Sequence, residues 1–177
     1  MDSATIAAIA TPTGRGGIGI IKVSGKDAFS ITASIFQKSA TLTDDSKKKG
    51  RTPFSSLKSH HLYHGHIVDK EKGRVLDEVL LSVMLAPHTY TKENIVEINT
   101  HSGPVVLTAI LELVLKNGAK LAEPGEFTKR AYLNGRIDLT QAEAVIDIIN
   151  SKTEKALEIA TSHIKGALKK RIESIRS

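Results

Sequence analysis

Apolar positions along this chain fall first into short blocks and then into helical periods. Thr5–Ala10 and Ile18–Ser24 are short, β-branched and apolar, and the connection Thr11-Pro12-Thr13-Gly14-Arg15-Gly16-Gly17 carries turn chemistry, which predicts two strands joined by a glycine-rich loop. From Gly25, the residues Ala28, Phe29, Ile31, Ile35 and Phe36 recur at helical spacing and predict a first helix. Residues 38–58 are polar and aperiodic and read as a solvated loop. Ser59–Val68 and Val75–Ala86 are strand-like around a charged hairpin loop, the second apolar enough on both faces to be central. Asn94–Thr100 alternates as a further strand, and Ser102-Gly103-Pro104 opens a helix that stops at Asn117-Gly118 and is apolar almost all round, hence expected to be buried. A short helix from Pro124-Gly125 to Asn134-Gly135 precedes continuous helical patterning. There Thr140-Gln141-Ala142-Glu143 and Ser151-Lys152-Thr153-Glu154 match capping boxes, and Ala160, Ile164, Leu168, Ile172 and Ile175 form one apolar stripe reaching Ser177 without a stop signal. The pattern divides the chain near Arg136 into a mixed α/β (α+β) domain, residues 1–136, and the start of an all-α helical region, residues 137–177, left with an uncovered stripe as by truncation.

Charge adds one asymmetry. The chain carries 25 Lys and Arg against 19 Asp and Glu, a net charge of +6, and residues 151–177 hold +4 of it, which suits an anionic partner such as RNA. There are no cysteines, so disulfides and Cys-based zinc sites are excluded. The acidic, polar N-terminus is unlike a signal peptide, and no run approaches the roughly 20 apolar residues of a membrane span, so a soluble, cytoplasmic protein with no membrane partner is expected.

Several motifs invite chemistry and resist it. Gly14-Arg15-Gly16-Gly17-Ile18-Gly19 spells a dinucleotide fingerprint, but that motif works between a strand and a helix, and here a strand follows. Gly25-Lys26 lacks the upstream glycine of a P-loop, Ile20 standing in its place, and the following hydroxyl, where Asp27 sits. His60, His61, His64 and His66 crowd one strand, with His60, His64 and His66 sharing a face by alternation. Ligands two and four apart on a strand lie some 7–14 Å from one another, too far to close on one ion unaided, so a solvated face is the reading and no metal site is assigned. No catalytic residue can be defended from spacing. Lys22 and Glu97 are charges inside apolar strands and need a partner or a ligand; a cross-strand ion pair is the simpler account of the pattern alone. Arg136 by itself reads as a surface arginine.

In order along the chain, Thr5-Ile6, Ala10-Thr11-Pro12, Gly14 to Ile20, Val23-Ser24-Gly25, Asp77-Glu78-Val79, Tyr90 to Ile98, His101-Ser102-Gly103-Pro104 and Pro124 to Ala144 resemble the N-terminal part of the MnmE (TrmE) tRNA-modification GTPases. The resemblance covers nearly everything outside residues 38–58. It implies an α/β domain with a mixed sheet, similar to the folate-binding domains of aminomethyltransferases, followed by the first helices of a helical domain. It further implies a homodimer through the N-terminal domain and a reduced folate, 5-formyl- or methylene-tetrahydrofolate, as one-carbon donor. An FAD-dependent partner of the MnmG (GidA) type and tRNA as substrate are also implied, with carboxymethylaminomethyl-type groups formed at the wobble uridine. GTP, Mg2+ and K+ belong to a GTPase domain that this chain lacks, so these residues alone are not expected to hydrolyse GTP.

The family's folate contacts fall on Lys22, Glu97 and Arg136, with Glu97 the candidate for the pterin edge and the two cations for the glutamate tail, in interchangeable roles. Position 22 is often arginine in the family, and lysine keeps the charge without the two-pronged geometry. Lys92, Asn94 and Ser102 stand where Gly, Asp and Gly are common, and His101 reads as a structural loop residue. Two other functions stay open at this point. One is a stand-alone folate-dependent one-carbon transferase, which needs an acid or base that spacing does not identify. The other is an RNA-binding adaptor using the basic C-terminal helix.

Overall fold

The computed structural model describes residues 4–12, 14, 16–39 and 58–166. The basic run at 47–51, Thr13 and Arg15 of the glycine-rich loop, and the apolar stripe beyond Gly166 lie outside the described residues. The chain packs as two compact units, one formed by residues 1–89 and 93–123, the other by residues 90–92 and 124–177.

Among the described residues, the first unit is a seven-stranded sheet with two helices. Its strands are β1 (Ile6–Ile9), β2 (Gly19–Ser24), β3 (Phe36–Lys38), β4 (His61–Asp69), β5 (Arg74–Met84), β6 (Ile95–Thr100) and β7 (Lys120–Leu121), with α1 (Ala28–Ile35) and α2 (Pro104–Lys116) between them. The spatial order is β3-β4-β5-β6-β2-β1-β7, with every pair antiparallel except β1 with β7, so the sheet is mixed as expected. Alternation builds the core: Ala7, Ile21, Val23, Val79, Leu81, Val83, Val96 and Ile98 are buried and cluster with Ile31 and Ile35 of α1 and Leu107, Ile110 and Val114 of α2. Burying each large aliphatic side chain of this set contributes roughly 1.5–3 kcal/mol. The opposite face, with Ala8, Ile20, Lys22, Ser82, Glu97 and Asn99 half-buried and Leu80 exposed, is much less covered.

Three expectations change here. β5 lies inside the sheet, but only its odd positions from Val79 are buried, so it is covered on one face rather than two. α2 starts at Pro104 and is capped by Asn117 as expected, yet it buries one stripe and leaves Val105 exposed, because a helix lying on a single-layered sheet has only one apolar neighbour. The chain passes from α1 directly into β3, because Phe36 is already extended, and the third residue of that strand is Lys38, the first position assigned to the loop.

The second unit contains α3 (Glu126–Leu133), α4 (Leu139–Asn150) and α5 (Glu154–Ile164). Two caps differ from the sequence reading. Asp138 is the N-cap of α4 and forms a reciprocal box with Gln141, while Thr153 caps α5 and Ser151 closes α4. The backbone of Gln141 donates to Asp138 at 2.9 Å, and the Gln141 side chain accepts from the Asp138 N–H at 3.0 Å. These bonds satisfy donors that every helix start leaves free. α5 ends at Ile164 rather than continuing, with Gly166 at φ +77°, the left-handed conformation that terminates helices. Gln141 Nε2 donates to the carbonyl of Ile164 at 2.6 Å, so the start of α4 meets the end of α5 and the two run antiparallel.

Candidate functional site

β2 and β6 bring Lys22 and Glu97 together. They are directly opposite in the antiparallel register, and Lys22 Nζ lies 3.1 Å from Glu97 Oε1. The side chains retain 22% and 26% of their exposure, so the pair is reachable from solvent but shielded on the sheet's less covered face. Strand alternation sets them beside Ala8 and Ser82, the register partners on the outer strands. The ion pair the pattern suggested is therefore present, and it leaves the site chemically open: Lys22 approaches one oxygen of a carboxylate that can accept several hydrogen bonds.

Arg136 belongs to the second unit. Its backbone N–H donates to the carbonyl of Ala131 at 2.9 Å, closing α3, and its guanidinium lies 4.8 Å from the centroid of the Tyr90 ring, a cation–π contact. The same corner is held by Asn134 Nδ2 donating to Thr91 O at 2.6 Å, Lys92 Nζ donating to Gly135 O at 3.2 Å, and a 2.9 Å hydrogen bond between Tyr90 Oη and Thr128 Oγ1. Lys92 adopts φ +58°, the left-handed region that glycine occupies without steric cost.

Sequence reasoning missed a second cluster in the first unit. Asp77, on β5, has a side chain only 12% exposed. Its Oδ2 accepts from the hydroxyl of Thr100 and from the backbone N–H of His101 at 2.9 Å, and its Oδ1 lies 2.8 Å from His101 Nδ1. Burial pushes this carboxyl up, but the hydrogen bonds from Thr100 and His101 and the nearby imidazole outweigh it, and the net shift is downward. Next in the chain, Ser102 Oγ accepts from the backbone N–H of Gly16 at 2.7 Å and donates back to the Gly16 carbonyl, pinning the glycine-rich connection to the end of β6. The available signal was the one that singled out Lys22 and Glu97: Asp77 is a carboxylate at an inward position of an apolar strand.

The histidine run is not one face. His60 lies in a turn at φ +60°, outside β4, because the strand begins at His61. His64 Nε2 contacts Glu78 Oε1 at 2.6 Å across the β4–β5 ladder, and His66 Nδ1 lies 3.5 Å from Ser39 Oγ. Among the described residues no group of three or more metal-ligating side chains converges, and no helix is long and apolar enough to cross a membrane.

Comparison with known proteins fits this arrangement. The family described as "GTP-binding protein TrmE N-terminus" matches residues 5–136. Similar curated proteins include the tRNA modification GTPase MnmE of Streptococcus agalactiae, 52% identical over 172 residues, covering 97% of this chain and 35% of that protein. The proteins of the same name from Acetivibrio thermocellus and Syntrophobacter fumaroxidans are each 55% identical, covering 98% and 97% of this chain and 35% and 34% of their own lengths. The chain thus spans about a third of the length of the curated relatives it matches. With most of its first unit inside the matched range and more than half its residues identical to those relatives, the chain belongs to the TrmE N-terminal family and corresponds to the N-terminal portion of the MnmE tRNA modification GTPases.

Proposed function

We propose that this chain is the folate-binding and dimer-forming portion of a tRNA-modifying GTPase that acts in the cytoplasm. The complete protein works with an FAD-dependent partner to build carboxymethylaminomethyl-type groups on the wobble uridine, GTP, Mg2+ and K+ being handled by other parts of it. The observation carrying the folate reading is the Lys22–Glu97 pair, two charges set opposite each other on the reachable face of an otherwise apolar pair of strands. A pterin presents a planar edge of N–H donors that a carboxylate accepts in two parallel hydrogen bonds, and the folate tail carries carboxylates that Lys22 or Arg136 pairs with. The chemistry of the donor set therefore fits a reduced folate. When bound, the folate supplies the one-carbon unit; the residues named here bind and orient it.

Magnitudes make the test clean. A partly exposed ion pair contributes about 1 kcal/mol or less to folding, so Glu97→Ala should leave the fold standing. Hydrogen bonds to a charged group are worth about 1.5–3 kcal/mol, so the same substitution should weaken folate by roughly 10- to 100-fold. Calorimetric titration with 5-formyltetrahydrofolate should show saturable binding to the unmodified chain and that loss in Glu97→Ala, with smaller losses in Lys22→Ala and Arg136→Ala. Absence of binding by the folded, unmodified chain would eliminate the folate reading.

A further inference from the structure

One row along the less covered face of the sheet from Lys22 and Glu97 lies Asn99. It follows Glu97 by two residues within β6, so the two side chains leave the same face about 7 Å apart. That spacing is comparable to the width of two fused six-membered rings. The register partners of Asn99 are Ile20 on β2, which is half-buried, and Leu80 on β5, which is 44% exposed. An amide therefore stands between two aliphatic side chains beside the ion pair, and the strand pairing runs through both rows without a break.

This amide is not free to turn over. Asn99 Nδ2 donates to the carbonyl oxygen of Leu80 at 3.0 Å, and a carbonyl only accepts, so the nitrogen end is the one held over β5. Turning the amide over would set two acceptors against each other. Oδ1 is the end left for a ligand, an acceptor fixed in place, and it carries no hydrogen bond to another described residue. Ser82, the neighbour of Glu97 on β5, has a hydroxyl that donates or accepts by rotating, so it cannot distinguish a donor from an acceptor. Asn99 can.

We infer that Asn99 sets the oxidation level of the folate this site accepts; this rests on the folate reading above. Glu97 reads the N3–H and amino edge of the pterin, which is the same in oxidised and reduced folates. The difference lies on the other ring. Dihydro- and tetrahydrofolates carry a hydrogen on N8, which donates to a fixed acceptor, whereas N8 of fully oxidised folate is a bare aromatic nitrogen with a lone pair. Against Asn99 Oδ1 that nitrogen sets acceptor to acceptor, and both lose water without gaining a partner, the circumstance in which hydrogen bonds discriminate most. Ile20 and Leu80 flank the contact with apolar surface, which raises the cost of leaving it unpaired. Asn99 is thus a specificity residue, supplying a selectivity that the ion pair alone lacks.

The test compares 7,8-dihydrofolate with folic acid, which lacks the hydrogen on N8 and one of those on C7. Titrated into the full chain, dihydrofolate should bind about 10- to 100-fold more tightly than folic acid. Asn99→Ala should bring the two affinities together by weakening dihydrofolate and sparing folic acid, with a denaturation midpoint close to that of the unmodified chain. Glu97→Ala should weaken both alike. If Asn99 were merely structural, Asn99→Ala would lower both affinities in parallel and leave their ratio standing, and that result overturns the inference. So does equal binding of dihydrofolate and folic acid by the unmodified chain, a comparison that needs no variant to fold and leaves the folate reading intact. Failure of the unmodified chain to bind 5-formyltetrahydrofolate or either of these folates removes the folate reading and this selectivity with it.

Discussion

At the scale of single residues, Asp77 shows how a buried charge becomes affordable. Its strand neighbours at inward positions are Val79, Leu81 and Val83, and desolvation alone would push its carboxyl up. Three hydrogen bonds from Thr100 and His101 reverse the balance and hold it below its ordinary value of 3.8. Because the folded state favours the ionised form, the unfolded chain takes up the proton first as pH falls. The associated stability is therefore complete above the ordinary carboxylate range and is lost as the medium acidifies through the lower, folded value. Thermal melts from neutral to strongly acidic buffers should show a shallower acid-side decline for Asp77→Asn than for the unmodified chain; superimposable slopes would mean that Asp77 is not held in its charged form by folding. Legibility was uneven at this scale. Lys22 and Glu97 announced themselves as charges among apolar neighbours, whereas Asp77 was read only as part of the Val75–Ala86 strand and of the Asp77-Glu78-Val79 motif. The hold of Asp77 on His101 joins residues 24 apart in sequence and exists only once β5 and β6 pair.

At the scale of elements, periodicity located the longer strands and helices but misjudged features that depend on contact. β3 is three residues long and β7 two, too short to carry a pattern, and each exists because a longer strand offers it a ladder. Caps were misplaced for a related reason: several hydroxyl and acidic residues compete near each helix start, and the winner, Asp138 or Thr153, is the one whose following residues turn helical. Gly166 was overlooked as a stop because the apolar stripe continues past it in sequence. Gly65 offers the sharpest check on how β3 is seated. It is buried on β4 opposite Lys38, and an added Cβ would run into the carbonyl oxygen of Gln37 and meet the ring of Phe36 at 2.5 Å. Backbone cannot yield as a flexible side chain can, so Gly65→Ala should cost about 1–3 kcal/mol, read as a lowered denaturation midpoint with an unchanged slope. A neutral substitution would show that β3 does not lie against β4 in solution.

At the scale of the whole molecule, the glycine-rich stretch decides what the chain can do with nucleotides. Phosphate-binding glycine loops lead from a strand into the N-terminus of a helix, where free N–H groups and the helix dipole meet the anion. Here β1 and β2 are antiparallel neighbours, so the loop between them ends in a strand. The helix that does follow β2 has Asp27 as its N-cap residue, with its backbone N–H already donated to Thr5 Oγ1 at 2.9 Å. A carboxylate stands where a phosphate loop needs a hydroxyl, and it repels the anion the site would have to hold. Two glycines of the stretch serve packing: Gly16 is bound by Ser102, and Gly19 admits the side chain of Leu107 close against β2. These 177 residues should therefore give no saturable signal with a fluorescent GTP analogue and Mg2+ up to millimolar nucleotide, while 5-formyltetrahydrofolate still binds the same sample. Micromolar GTP binding by this chain would require a phosphate site built from elements other than the glycine-rich loop and would break the division of labour proposed between this portion and the rest of its relatives.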